Sequence, residues 1–372
     1  MRIAYLSIGG HIHTERWLRY FVERGHDVHL MTVQPVPIEG VKLYDIRTGI
    51  PFKPLHYAVA LGRVKRILAE IKPDLLHTHF LTGYGYWGAF SGFHPNVLTV
   101  WGDDVYLTPQ QSFLKGKLAR AALRRADLVT GDSEDILEQA VGMGAARDAC
   151  HVIQWGVDLT AFRPDAPSDV REKLRIPADS PVVISIRSFT QPYYNIDVIV
   201  RAIPAILEKR PDTHFIVAGN EGDDAEFRAL AGELAIDERA HFVGKIPHEE
   251  LPGYLVTSDA FLSVPSVDAT AVSLLEAMAC GTPVVVSSLD SALEWVTDGV
   301  NGFVVPPRDQ AALEAAVLSL IDSPERRMEF GSVSAAMTRE RADHNVHMGR
   351  MEELCFELVE RWRKTGGARQ VG

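Results

Sequence analysis

One rhythm runs through this chain and limits what it can fold into: a short apolar strand, a turn, then an amphipathic helix, repeated across two halves. In the first half the strand segments read RIAYLSI (2–8), DVHLMTV (27–33), DLLHTH (74–79), NVLTVW (96–101), DLVTGD (127–132) and CHVIQW (150–155). In the second they read PVVISIR (181–187), HFIVAG (214–219), HFVGK (241–245), AFLSVP (260–265), TPVVVSS (282–288) and GFVVP (302–306). Between strands, segments such as ERWLRYFVERG (15–25) place apolar residues on one helical face, and Gly25 supplies a stop. Strands alternating with helices form parallel sheets covered on both faces. The fold class expected is therefore α/β, with two doubly wound domains. A Pro-, Asp- and Ser-rich stretch near 160–180 marks the boundary. The expected division is 1–165, 166–343, and a C-terminal helical segment, 344–372, packing back toward the first domain. Ligands of open parallel sheets bind beyond the carboxyl ends of the strands. The loops after the strands, facing across a cleft between domains, are where chemistry is expected.

Composition narrows the function. The net charge of −11 argues against nucleic acid as a partner. Residues 1–165 carry 18 basic and 17 acidic side chains and the remainder 20 and 32, so the two halves suit different partners. Cys150, Cys280 and Cys355 are far apart and without C-x-x-C spacing, which points to free thiols rather than zinc or disulfides. No apolar run approaches the roughly 20 residues of a membrane span. The start MRIAYLSIGG reads as strand and turn, not as a signal peptide. A cytoplasmic location follows as the expectation.

The richest segment is VPSVDATAVSLLEAMACGTPVVVSS (264–288). A strand ends at Pro265, a loop carries Asp268, and a helix is expected over about 271–279, ending at Gly281. Asp268 stands in the loop and Glu276 on the helix, so the two carboxylates can grip hydroxyls at two ends of one ligand. The N–H groups of Thr270, Ala271 and Val272 point out of the helix N-terminus, a ready phosphate site. Hydroxyl, phosphate and hydroxyl contacts in a row match a nucleoside diphosphate sugar. The competing structural role of Asp268 is a helix cap.

This segment resembles the E-x7-E signature of the retaining GT-B glycosyltransferases of family 4 (glycosyltransferase group 1). The resemblance extends through ERGHDVHLMT (23–32), IKPDLLHTH (71–79), GVDLTAFRP (156–164), NIDVIVRAIP (195–204), HFVGKIPHEELPGYL (241–255) and DGVNGFVVPPRD (298–309). It implies a metal-independent enzyme without resident cofactor, whose co-substrate is a UDP- or GDP-sugar and whose acceptor is a glycan, lipid-linked or small-molecule hydroxyl. Asp268 would contact the donor sugar and Glu276 the ribose. Arg187, ending PVVISIR, corresponds to the family's diphosphate-binding arginine. The lysine and glycine that follow it in the family read Tyr194 and Asn195 here. One cation is thus missing, and the Tyr194 hydroxyl is a candidate replacement. Where the family has glycines at the helix entry, this chain has Ala269, Thr270 and Ala271.

In the first half, SIGGHIHTERW (7–17) is a glycine turn between strand and helix but not G-x-G-x-x-G, which speaks against a nicotinamide oxidoreductase. The resemblance makes Gly9 and Gly10 candidates for the donor phosphates. His77 and His79 share one strand face, and His79, further along, is the better cleft candidate. Many relatives place a histidine where this chain has Trp101. The acidic turn after it makes Asp104 a candidate hydroxyl ligand. FLKGKLARAALRRA (113–126) is a basic amphipathic helix suited to an anionic membrane surface at the inner face of the membrane. The expected function is retaining glycosyl transfer by front-face displacement, in glycolipid or surface polysaccharide synthesis. The alternative, prompted by Tyr194 and Trp101, is a catalytically weak sugar-nucleotide-binding subunit.

Overall fold

The computed structural model describes residues 1–219 and 224–366. They form two compact units, residues 1–155 with 346–366 and residues 156–219 with 224–345. The division falls at Trp155/Gly156, ten residues ahead of the expected 165/166 boundary. The Pro-rich stretch instead contributes to the second unit, where Val170 and Ile176 are buried in its core.

The first unit contains β1 (Arg2–Leu6), β2 (Asp27–Thr32), β3 (Val41–Asp45), β4 (Leu75–His79), β5 (Asn96–Thr99), β6 (Leu128–Gly131) and β7 (Cys150–Val152). They form one parallel sheet in the order β3-β2-β1-β4-β5-β6-β7. β3 was not foreseen. It is an edge strand whose residues VKLYD are half-buried or exposed, so no apolar run announces it. The helix His344–Lys364 belongs to this unit from Val346 onward. Glu352 there meets His26 at 2.7 Å and Arg24 at 3.0 Å, and Trp362 stacks on His94. Residues 367–372 of the expected terminal segment lie outside the described residues.

The second unit contains β8 (Val182–Ile186), β9 (His214–Ala218), β10 (Ala240–Gly244), β11 (Ala260–Ser263), β12 (Val284–Ser287) and β13 (Gly302–Val305). Their order is β10-β9-β8-β11-β12-β13, again all parallel. Alternation along the strands builds two cores, one on each face. Val183, Phe215, Val217 and Leu262 pack on one side, and Val182, Ile184, Ile216 and Phe261 on the other. In each sheet the strand order reverses once, between β1 and β4 and between β8 and β11. That reversal opens a crevice at the carboxyl ends, where a doubly wound sheet takes its ligand.

Candidate active site

Arg187 leaves β8 and Ser263 ends β11, so both stand at the reversal of the second sheet. The Arg187 guanidinium donates through Nη2 to Ser263 Oγ at 2.6 Å and to Asp268 Oδ2 at 2.7 Å. The two ionic side chains are 10% and 18% exposed, so the pair is shielded rather than lying on the surface. Burial raises the Asp268 carboxyl, while Arg187 and the N–H of Ala269 pull it back down. Arg187, Ser263, Asp268, Ala269, Ala271 and Ser291 line one recess. Ser291 Oγ donates to the Asp268 carbonyl and anchors the loop from behind.

The helix after this loop runs Val272–Ala279 with Ala271 as its N-cap, without a side-chain capping bond. Asp268 is therefore not the cap. Leu274 and Leu275 both donate to the Ala271 carbonyl. Thr270 and Ala271 are buried to 5% and 8% exposure, so the helix entry is a close-packed small-residue turn.

Glu276 lies one turn further along, buried, and is absent from the wall of that recess. Its carboxylate instead pairs with His248 Nε2 at 2.9 Å, and the His248 ring rests on Phe162 at 5.1 Å. The structure thus brings Arg187 and Asp268 into direct contact and sets Glu276 with a separate partner. His248 and Ser263 were not singled out from the sequence. His248 sits in the loop after β10, and only the fold reveals that this loop reaches the helix of Glu276.

Tyr194 does not stand apart as a hydroxyl ligand in waiting. Its ring packs under the Arg187 guanidinium, 5.0 Å from centroid to Cζ. Asn195 adopts φ 55°, ψ 38°, the left-handed conformation that glycine or asparagine accepts.

In the first unit, Gly9 and Gly10 follow β1. A Cβ on Gly9 would lie 1.8 Å from the Gln34 carbonyl oxygen, so only glycine fits. Its N–H already donates to Thr32 Oγ1 at 3.0 Å and is not free for a phosphate. Gly10 takes φ +73° to turn the chain into the helix Ile12–Glu23.

His79 is fully buried rather than open to a ligand. Trp17, Trp101, Trp155 and Tyr5 surround it, and Ser7 Oγ meets its Nδ1 at 3.1 Å. His77 is likewise enclosed, with Nε2 2.7 Å from Thr99 Oγ1. Desolvation holds His77 down to about 3 and His79 well below the usual histidine range, so both are neutral.

Asp104 is also fully buried. Its carboxylate accepts from the N–H groups of Trp101 at 3.1 Å, Gly102 at 2.8 Å and Leu81 at 2.5 Å. Burial pushes the carboxyl up to about 6 against the pull of those donors. Its role is to tie the turn after β5 to the turn after β4, which corrects the expectation of a substrate ligand. The physical reason is that three backbone donors claim its oxygens.

Residues 168–336 match the family described as Glycosyl transferases group 1, and residues 2–133 match Glycosyl transferase 4-like. The chain belongs to the group 1, family 4 glycosyltransferases. The chain is 32% identical, over 58% of its length, to a GDP-mannose-dependent alpha-(1-6)-phosphatidylinositol monomannoside mannosyltransferase of Mycolicibacterium smegmatis. The chain spans 59% of that relative's length, and 60% of the length of a Corynebacterium glutamicum mannosyltransferase to which it is 27% identical. It is 26% identical to D-inositol 3-phosphate glycosyltransferase 1 of Catenulispora acidiphila, over 86% of this chain and 83% of that one. Its GT-B fold is shared with sucrose-phosphate synthase from Thermosynechococcus elongatus (TM-score 0.84, 22% identity, 97% and 100% of the two chains). Anabaena HepE, solved with UDP and glucose, shares it too (TM-score 0.81, 19% identity, 96% and 100%).

Proposed function

We propose that this glycosyltransferase moves a glycosyl unit, with retention, from a nucleoside diphosphate sugar to an acceptor hydroxyl in glycolipid or surface polysaccharide synthesis. The observation that carries the proposal is the Arg187–Asp268–Ser263 cluster at the reversal of the second sheet, beside a helix N-terminus with no side-chain cap. A guanidinium and a helix N-terminus together suit a diphosphate. Asp268 would accept from a sugar hydroxyl and Glu276 from the ribose.

In the proposed step, the bond from the anomeric carbon to the diphosphate oxygen breaks. The acceptor oxygen bonds to the same face of that carbon, and its proton passes to the departing diphosphate. Charge grows on the leaving group, and Arg187 with the helix N-terminus stabilises it, which is electrostatic catalysis. The reaction needs neither a metal nor a cofactor beyond the nucleotide sugar, because these fixed positive groups face the developing charge. GDP-mannose is the first donor to test, since two relatives are named for it.

The acceptor is proposed to be lipid-linked. The helix Phe113–Leu123 buries Gly116, Ala119, Ala122 and Leu123 and leaves Phe113 and Leu114 exposed at 78% and 65%. Lys115, Lys117, Arg120 and Arg124 accompany them with no acidic residue in 113–126. That combination suits an anionic lipid surface. Among the described residues no helix is long and apolar enough to cross a membrane.

A second reading, a sugar-nucleotide-binding subunit with weak catalysis, is favoured by the burial of His79 and the backbone bonds that occupy Asp104. Incubating the purified chain with GDP-mannose, UDP-glucose and a lipid extract separates the two. Labelled lipid with retained anomeric configuration supports the transferase. Nucleotide binding with no transfer and no donor hydrolysis favours the subunit.

A further inference from the structure

We infer that Tyr194 is a positioning residue that acts through Arg187: its ring face, not its hydroxyl, holds the guanidinium where a diphosphate arrives. The inference rests on the proposed assignment of Arg187 to the diphosphate.

The groups that contact the guanidinium among the described residues differ in kind. Ser263 Oγ and the Asp268 carboxylate take directional hydrogen bonds from Nη2 at 2.6 and 2.7 Å. The Tyr194 ring lies 5.0 Å from Cζ and offers a π face. Attraction to a ring face changes little as the cation slides across it, whereas a hydrogen bond is lost. The ring can therefore keep Arg187 in the recess while its Nη2 exchanges Asp268 for a phosphate oxygen. Among the described residues Arg187 Nε is buried without a hydrogen-bond partner, so the guanidinium has a further donor to spend on an incoming anion.

The ring is fixed by the chain around it. Residues Pro192–Tyr194 form one 3-10 turn, and Asn195 in the left-handed conformation starts the helix Ile196–Lys209. Asn195 Nδ2 donates to the Val264 carbonyl at 2.8 Å and to Ser266 Oγ at 2.9 Å. Arg308 donates to Asn195 Oδ1 at 2.8 Å, and the N–H of Ser266 donates to the Tyr193 carbonyl at 2.7 Å. The turn of Tyr194 is thus bonded to the loop that carries Asp268. Ring and carboxylate keep one spacing, and the guanidinium rests between them.

The test uses the full chain and titrates GDP, with guanosine as the control that lacks phosphate, alongside turnover of GDP-mannose; UDP and UDP-glucose replace them if GDP fails. Tyr194→Phe keeps the ring and is expected to bind GDP and turn over within about twofold of wild type. Tyr194→Leu is expected to raise the GDP Kd and the donor KM about tenfold while guanosine binding stays unchanged. In an Arg187→Ala background, Tyr194→Leu is expected to add nothing, because the ring has no guanidinium to hold. The inference is overturned if Tyr194→Phe is as defective as Tyr194→Leu, which makes the hydroxyl the ligand. It is equally overturned if Tyr194→Leu binds GDP as wild type does, weakens GDP and guanosine alike, or weakens GDP by the same factor with and without Arg187. A wild-type chain that binds no nucleoside diphosphate overturns the donor reading and this inference together.

Discussion

The Arg187 guanidinium and the Asp268 carboxylate meet at 2.7 Å in a shielded recess, although 81 residues separate them in the chain. Each comes from the carboxyl end of a strand, and β8 and β11 are neighbours in the sheet. A mostly buried ion pair of this kind adds little net stability, because desolvation offsets attraction. In the proposed function its value lies in presenting a charge that an anionic ligand can recruit.

Arg187→Ala is expected to lower kcat/KM for the donor at least about tenfold, equal to roughly 1.4 kcal/mol of transition-state stabilisation. Initial rates against donor concentration measure it. Near-normal turnover in the purified variant would remove Arg187 from the diphosphate site.

Glu276→Ala is expected to raise the donor KM at least about tenfold. His248→Ala should raise it by a smaller factor, about threefold to tenfold, because it removes one hydrogen bond to a carboxylate and leaves the carboxylate in place. His248→Gln, which can still donate, should recover most of the loss. Equal KM values for wild type and both His248 variants would show that the 2.9 Å contact does not orient Glu276.

His77 and His79 set an acid limit on stability. Both are held neutral by burial, His77 down to about 3, whereas an unfolded histidine titrates near 6.5. Between those values the unfolded chain takes up a proton that the folded chain refuses. Stability is complete above about 6.5 and falls as the pH drops, by about 1.4 kcal/mol per pH unit for each histidine. Asp104, raised to about 6, acts with the opposite sign between about 4 and 6, where the folded state holds the extra proton. The diagnostic is therefore the difference between wild type and a histidine variant. Urea unfolding at pH 7 and pH 5 should show a shallower loss for His77→Gln than for wild type. Parallel losses would mean that His77 takes up its proton in the folded state.

Phe113 and Leu114 are expected to carry membrane contact. Flotation with vesicles of anionic phospholipid should recover the wild-type chain, and Phe113→Ser with Leu114→Ser should reduce recovery several-fold. Recovery should also fall with salt as Lys115 and Lys117 are screened. Wild-type chain that stays with the buffer, or a double variant that floats as well, would rule out this face.

Gly9 tests the turn rather than the chemistry. Gly9→Ala places a Cβ against the Gln34 carbonyl oxygen, and a loss of about 2 kcal/mol or more in unfolding free energy is expected. An unchanged melting temperature would show that the turn relaxes.

The alternation of apolar runs and amphipathic segments determined the doubly wound architecture by itself, because burial of a strand on both faces is written locally. Twelve of the thirteen strands among the described residues follow from it, and β3 escaped because an edge strand need not be apolar. The helix of Glu276 and the loop of Asp268 were legible for the same reason: each is one short stretch of chain. Partnerships were not. That Asp268 faces Arg187, that Glu276 faces His248 and that Tyr194 lies under a guanidinium depend on which strands become neighbours. Likewise, His79 and Asp104 look like ligands in sequence, where their residue type is all that shows. Tertiary packing closed aromatic rings around one and committed three backbone N–H groups to the other. Residue type sets what a side chain can do, but its solvation and its partners come from segments far away in the chain, and only the folded arrangement supplies them.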